Sequence, residues 1–264
     1  MEGYQVDELR LYLGDSIRIA SGITLYQPTI GDIANYNEAE YFNMAQTICA
    51  TPSSMKVALD DMKLDYMKVD DFQLFMMLCS SMPPDKTRLL FGNLDLTKFK
   101  PYSRGEAEEV VLANGEFDED GNPVIINSVI YEILVTYIRK MHGFKKQVDK
   151  AGNAITRKIL INEDRKAAER NKNKPYKSFL KSVISSVKCR MGYDMDYIKS
   201  MGIYQLMDDL SRLNIIIQAD AALGACYSGF CDTKKMDKTV LDWTRDITEE
   251  SKTNNKTILK EGAN

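Results

Sequence analysis

The chain has 264 residues, 44% of them hydrophobic and 28% charged, with a formal net charge of −3. That is enough apolar material for one large core or two small ones, and the near balance of charge gives no general drive toward nucleic acid or a membrane surface. Apolar stretches such as "VIYEILVTYI" and "LNIIIQADAALGAC" are broken well short of the ~18 residues that a span requires, which excludes a membrane helix.

The opening "MEGYQVDELR" has no basic segment followed by an apolar one, so it does not read as a signal peptide. Residues 8–28 then read as an antiparallel β-meander. "LRLYL", "SIRIA" and "ITLYQ" alternate apolar and polar side chains, with turns at Gly14-Asp15 and Ser21-Gly22 between them. Pro28 ends the last run. Thr29 and Asp32 fit a capping box, which opens a helix carrying Ile33, Tyr36, Tyr41, Met44, Ala45 and Ile48 at helical spacing. Thr51-Pro52 reads as an N-cap and first residue of a second helix, with Met55, Leu59 and Met62 as its apolar line. "DDFQLFMMLCSSM" is a third helix, ended by Pro83-Pro84. Residues 85–103 read as short strand and turn.

From residue 106 to residue 120 there are seven acidic side chains and no basic one. Two β-like runs, 109–113 and 123–126, are divided by the turn formers Asn114-Gly115 and Asp120-Gly121-Asn122. We read a β-hairpin over 108–127, with room for a partner strand elsewhere. Beyond it the chain is helical. "SVIYEILVTYIRKMHG" ends in basic residues and Gly143, where the helix dipole and a left-handed cap favour them. Residues 144–156 read as a loop or hairpin. "TRKILINEDRKAAERNKNK" is a charged helix, Pro175 separates it from "YKSFLKSVISSVKCR", and residues 195–224 form the longest periodic run, divided at Gly202. "YSGFCDTKK" reads as a turn, and "KTVLDWTRDI" closes the fold with the only tryptophan, Trp243. The fold expected is therefore α+β and predominantly helical, one domain over 1–247. Residues 248–264 are a polar tail without periodicity.

Chemistry has few anchors. Five cysteines (Cys49, Cys79, Cys189, Cys226 and Cys231) and no C-x-x-C read as free thiols of a reducing compartment, although Cys226 and Cys231 are close enough in sequence to pair under oxidation. Asp60-Asp61, Asp70-Asp71 and Asp208-Asp209 are adjacent pairs. Neighbours on a helix diverge by about 100°, so each reads as a solvated face or cap rather than an acid–base pair. "FDEDGNPV" has neither the glycine nor the glutamate position of a calcium loop and reads as a turn. His142, the only histidine, stands at a helix end, where it reads as a cation or hydrogen-bonder near the last carbonyls. No phosphate-binding glycine loop, metalloprotease motif or nucleophile elbow occurs. No catalytic residue, cofactor or metal site is expected, and the chain is read as a non-enzyme.

The most suggestive segment is basic. Residues 157–190 hold eleven Lys or Arg against three Asp or Glu, and Arg165, Lys166, Arg170, Lys172 and Lys174 cluster before Pro175. Such a face can take a partner or a phosphate backbone. Tyr176 and Phe179 are its only interleaved aromatics, which is thin for a base-stacking platform, and nucleic acid is the weaker reading. A charged helix face paired with the acidic 106–120 hairpin of this or another copy is the plain alternative. Fourteen methionines and fourteen tyrosines suit core filling first and adaptable binding surfaces second.

Four stretches, in order, carry a resemblance: "LYQPTIGDIANYNEAEYFNMAQTICATPSSMK", "LLFGNLDLTKF", "VIYEILVTYIRKMHGFKK" and "YSGFCDTKKMDKTVLDWTRDI". Together they resemble a family of tail-gene-cluster proteins from phages and prophages of Gram-positive bacteria, tail assembly chaperones or minor tail structural proteins. The resemblance implies a protein of the bacterial host cytoplasm or the virion tail that binds the tape-measure protein, the tail-tube protein or both during tail morphogenesis. A minor structural component of tail or baseplate is the first alternative, and a nucleic-acid-binding accessory protein using residues 157–190 the second. At 264 residues the chain is longer than many such chaperones.

Overall fold

The computed structural model describes residues 6–104, 109–149, 153–228 and 238–247. Its helices are α1 (Glu8–Tyr12), α2 (Ile30–Tyr36), α3 (Glu38–Ile48), α4 (Lys56–Asp61), α5 (Asp71–Leu78), α6 (Pro84–Phe91), α7 (Ser128–His142), α8 (Ala154–Asn171), α9 (Phe179–Met191), α10 (Met195–Ser200) and α11 (Ile203–Tyr227). Strands β1 (Ile17–Ala20) and β2 (Ile23–Leu25) form one antiparallel pair, and β3 (Lys100–Arg104), β4 (Glu109–Phe117) and β5 (Pro123–Ile126) form a second, three-stranded antiparallel sheet. The architecture is α+β and predominantly helical, as the periodicities predicted.

The opening "LYQPTIGDIANY" behaves as its residues dictate. Thr29 Oγ1 accepts the Asp32 N–H at 3.1 Å, and the Asp32 carboxylate accepts the Thr29 N–H at 3.0 Å. This reciprocal box starts α2 where Pro28 stops the strand. The same turn is a tertiary joint. The Pro28 carbonyl accepts the Ile203 N–H at 3.2 Å, and the Ile30 N–H donates to Met201 at 2.9 Å. The chain's beginning is thereby laced to the break between α10 and α11 at Gly202.

Four local expectations change. The one helix read from Thr29 to Ile48 is two, broken at Asn37, whose φ of 126° ends α2 and whose side chain accepts the Ala39 and Glu40 N–H groups to start α3. "LRLYL" is helix, not the first strand of a meander. Asp7 caps it by accepting the Arg10 N–H, and the helical turn puts Glu8 and Tyr12 on one side, where both reach α11. The price is that Leu9 and Leu13 face water while Leu11 alone is buried. Thr51-Pro52 opens a turn instead of a helix: Thr51 and Ser54 bond each other's backbone, and α4 begins only at Lys56. Residues 84–91 are helix because Pro84 occupies the first position, and Thr87, Leu90 and Phe91 then fall on one buried face. The 85–103 segment does hold a strand at its end, β3. It is the partner of β4 that the hairpin lacked, with Tyr102 opposite Val111.

The two β segments form separate sheets. They touch where Gly22, at φ +67°, turns β1 into β2: a Cβ there would run into Val124 of β5. Arg18 of β1 also reaches Asp118 beyond β4 at 3.4 Å.

The core is built around α7, whose Tyr131, Leu134, Val135, Tyr137, Ile138 and Met141 are all buried. It packs against α11, α5, β1 and β5. One apolar cluster runs from Leu11 through the sheets and α7 to Leu206, and a smaller satellite gathers Ala50, Leu59, Tyr66, Leu74 and Ile161. Trp243 follows a short 3-10 turn at Lys238–Leu241 and leaves 58% of its surface exposed. Residues 229–237, most of the "YSGFCDTKK" turn, and the polar tail from residue 248 lie outside the described residues.

Candidate partner-binding surface

The five basic residues singled out by the sequence sit at the end of α8 and just beyond it. They do not act as one face. Arg165 turns toward the body, where its Nη2 donates to Asp60 at 3.0 Å and Asp61 at 2.7 Å. Those adjacent carboxylates, read as a solvated face, converge on one guanidinium. Lys166 and Arg170 point outward, with Arg170 Nε donating to the Lys166 carbonyl at 3.3 Å. Lys172 is the C-cap, and Lys174 Nζ donates to Asn171 Oδ1 at 2.9 Å.

Charge, more than apolar contact, holds α8 in place. Ile161 is its single buried residue. Arg157 pairs with Asp65 at 2.6 Å. Lys56 of α4, only 2% exposed, pairs with Asp164 of α8 at 2.7 Å and with Asp149 at 2.8 Å. Burial pulls the Lys56 ammonium pKa down, but the hydrogen bonds to Asp149 and Asp164 outweigh that, and the net shift is upward. Arg157, Ile161 and Asp164 recur at helical spacing along the docked side. Ile155, Ile159, Asn162, Lys166 and Arg170 recur at the same spacing along the opposite side. There Ile155 is 73% and Ile159 52% exposed. α8 therefore presents two isoleucines followed by two cations to solvent. Reading the segment for its charge overlooked the isoleucines, although their four-residue step was visible.

The segment after α8 is anchored firmly. Glu38 accepts the Ser178 hydroxyl at 2.6 Å and the Leu180 N–H at 2.9 Å. Burial raises that carboxyl, yet these bonds and the Tyr176 hydroxyl bring its net pKa below the usual value. Leu180, Val183 and Val187 bury one side of α9, which packs on α11. Arg212 of α11 donates to the carbonyls of Trp243 and Arg245, both at 2.8 Å, pinning the last described turn. Ile217, Leu223 and Tyr227 near the end of α11 are exposed.

The other titratable candidates have structural partners. Asp70 caps α5 in a second capping box, and Asp71 pairs with Lys146 at 2.7 Å. Asp209 accepts from Tyr12 at 3.0 Å and Tyr193 at 3.2 Å. Burial raises its carboxyl pKa further than the two hydroxyls lower it. Asp208 is also raised, by burial and then by Asp209 and Glu8. Burial and the Asp209 bond push Tyr12 up to about 12. His142 ends α7 as expected and bonds the Ile138 carbonyl at 2.7 Å, but it is buried and neutral. Its Nδ1–H donates to that carbonyl, Nε2 accepts the Tyr41 hydroxyl at 2.6 Å, and burial brings its pKa down to about 4. Cys49 and Cys79 are free, buried thiols pushed up to about 12 by burial, which keeps them protonated and unreactive. "FDEDGNPV" is a turn, in which the Asp118 carboxylate accepts the N–H groups of Asp120 and Asn122.

A hollow of about 530 Å³ opens between the end of α3, the 51–55 turn and residues 143–147. Arg139 spans it by donating to the Cys49 carbonyl at 2.8 Å, where α3 ends and its carbonyls attract a cation. Its lining includes no carboxylate. Among the described residues no three His, Cys, Asp or Glu side chains are placed to hold a metal ion, and no helix is long and apolar enough to cross a membrane.

Residues 170–248 match the family described as YomV second domain, a family of phage or prophage type. The match covers less than a third of the chain. It begins in the last turn of α8 and takes in α9, α10, α11 and the Trp243 turn. No curated protein and no solved structure matches the chain.

Proposed function

We propose that this chain is a non-enzymatic protein of phage tail morphogenesis that binds the tape-measure protein, the tail-tube protein or both. The outward side of α8 carries this reading: exposed Ile155 and Ile159 beside exposed Lys166 and Arg170. Apolar anchors with a cationic rim suit a helical partner with apolar and acidic positions. The phage-type match over 170–248 supports the setting, and the resemblance of the four quoted stretches supports the tail role. Lys172 and Lys174 extend the rim, while Arg165, tied to Asp60 and Asp61, serves the docking of α8 itself.

The test is capture from phage-producing cells with the full chain as bait, read by mass spectrometry alongside purified tail particles. Recovery of tape-measure or tube protein, lost with Ile155→Asp/Ile159→Asp, supports the reading. Recovery of neither overturns it. Stoichiometric presence in finished particles makes the protein a structural component of the tail instead.

A further inference from the structure

A second surface is independent of α8. Between α2 and α9 lies a groove of about 440 Å³ whose lining includes Ile30, Ala34, Leu180, Ile184 and Met195. Lys181 and Lys188 of α9 stand on its rim, seven residues apart and both exposed. Glu38 is the one carboxylate in the lining, and both its oxygens are already taken by Ser178 and Leu180. The groove thus offers an apolar floor under a positive rim. It fits an apolar side chain flanked by carboxylates.

The chain presents that chemistry on its other β segment. Phe117, the last residue of β4, is 69% exposed. Glu116, which already takes Lys98 at 3.2 Å, precedes it, and Glu119 and Asp120 follow in an exposed turn. The turn is preorganised: the Asp118 N–H donates to the Asn122 carbonyl at 2.9 Å, and the Gly121 N–H to the Asp118 carbonyl at 3.0 Å. Arg18 of β1 holds Asp118 at 3.4 Å and reaches Asp120 at 3.9 Å, which fixes the turn against its own β1–β2 pair. An aromatic carried on a rigid turn loses little entropy when it docks, and a ring of matched charges around it steers and orients the encounter.

We propose that the groove between α2 and α9 receives the Phe117 turn of a second copy of this chain. The contact is heterologous, groove to turn, so each copy has one of each to offer, and repetition builds a ring or an open chain of subunits. The inference reads self-association only and stands apart from the tail role.

The experiment is sedimentation of the full chain across the micromolar range, at low salt and at about 0.5 M salt, where screening shortens to roughly 4 Å. Concentration-dependent association that weakens with salt is expected. Phe117→Ser and, separately, Lys181→Glu/Lys188→Glu should each raise the dissociation constant at least about tenfold, as loss of a central anchor or its charged rim does. All three side chains are exposed, and circular dichroism checks that the variants stay folded. The Phe117→Ser chain keeps its groove, and the double variant keeps its turn. Mixed together, the two should form one-to-one dimers that grow no further. A monomeric wild type throughout, association unchanged by either variant, or a mixture without heterodimers overturns the proposal.

Discussion

His142 and Asp208 respond to burial with opposite signs. Burial holds the histidine neutral, with a pKa near 4 against 6.5 for a free imidazole, although its bond to the Ile138 carbonyl works the other way. A depressed value means that the unfolded chain takes up the proton first. Its stabilisation is complete above pH 6.5 and is lost as pH falls toward 4, on the order of 3 kcal/mol in all. Urea midpoints between pH 7 and pH 4.5 should fall along that curve, and Tyr41→Phe, which strips the Nε2 of its donor, should cost about 2 kcal/mol at pH 7. Asp208 is the reverse case. Its folded pKa is raised above 3.8, so its favourable contribution exists in acid and disappears as pH rises past that value. Asp208→Asn should therefore stabilise the protein at pH 7, by up to about 1 kcal/mol because the group is only half-buried, and should change nothing at pH 3. Thermal melts at the two pH values decide it.

At the scale of elements, α8 is the most conditional. Its docked side holds one buried isoleucine and three cation sites: Lys56 with Asp164, Arg157 with Asp65, and Arg165 with Asp60 and Asp61. Two of those three sites are half-exposed and open to screening by salt. Amide exchange across 154–171 should quicken between low salt and 1 M salt while α7, buried on apolar contacts, holds its protection. Lys56→Ala should cost roughly 2–3 kcal/mol in urea denaturation, the low end for breaking a buried pair, since Asp164 keeps access to water. α1 shows why this scale was the hardest to read. Leu9, Leu11 and Leu13 alternate as a strand would, yet Asp7 caps a helix and Glu8 and Tyr12 pay back the exposed leucines by reaching Tyr204 at 3.1 Å and Asp209 at 3.0 Å. Both partners lie nearly two hundred residues away, beyond any local window.

For the whole molecule, the family match and the core draw different lines. The matched segment begins at residue 170, inside α8, but Leu180, Val183, Val187, Ile198, Met201 and Leu206 share one apolar cluster with Leu11, Ile33 and α7. The backbone bonds from Pro28 to Ile203 and from Ile30 to Met201 cross the same line. A fragment of residues 170–248 alone would leave that apolar side open. It should show no cooperative melt by calorimetry, whereas the full chain should. A fragment that melts cooperatively would mean the shared core is not needed for folding.

Where local chemistry decides, the sequence determined the outcome by itself. The capping box at Thr29 and Asp32, the Gly143 cap of α7, the β4–β5 hairpin and the division of α10 from α11 at Gly202 all stand as their residues require. Each is settled by bonds or dihedral limits spanning a few residues. The tertiary structure alone decided α1, the addition of β3 to the hairpin, the separation of the two sheets and the splitting of the basic cluster into Arg165 turned inward and Lys166 and Arg170 turned out. Those outcomes depend on which distant side chain arrives opposite, and neither spacing nor composition carries that information.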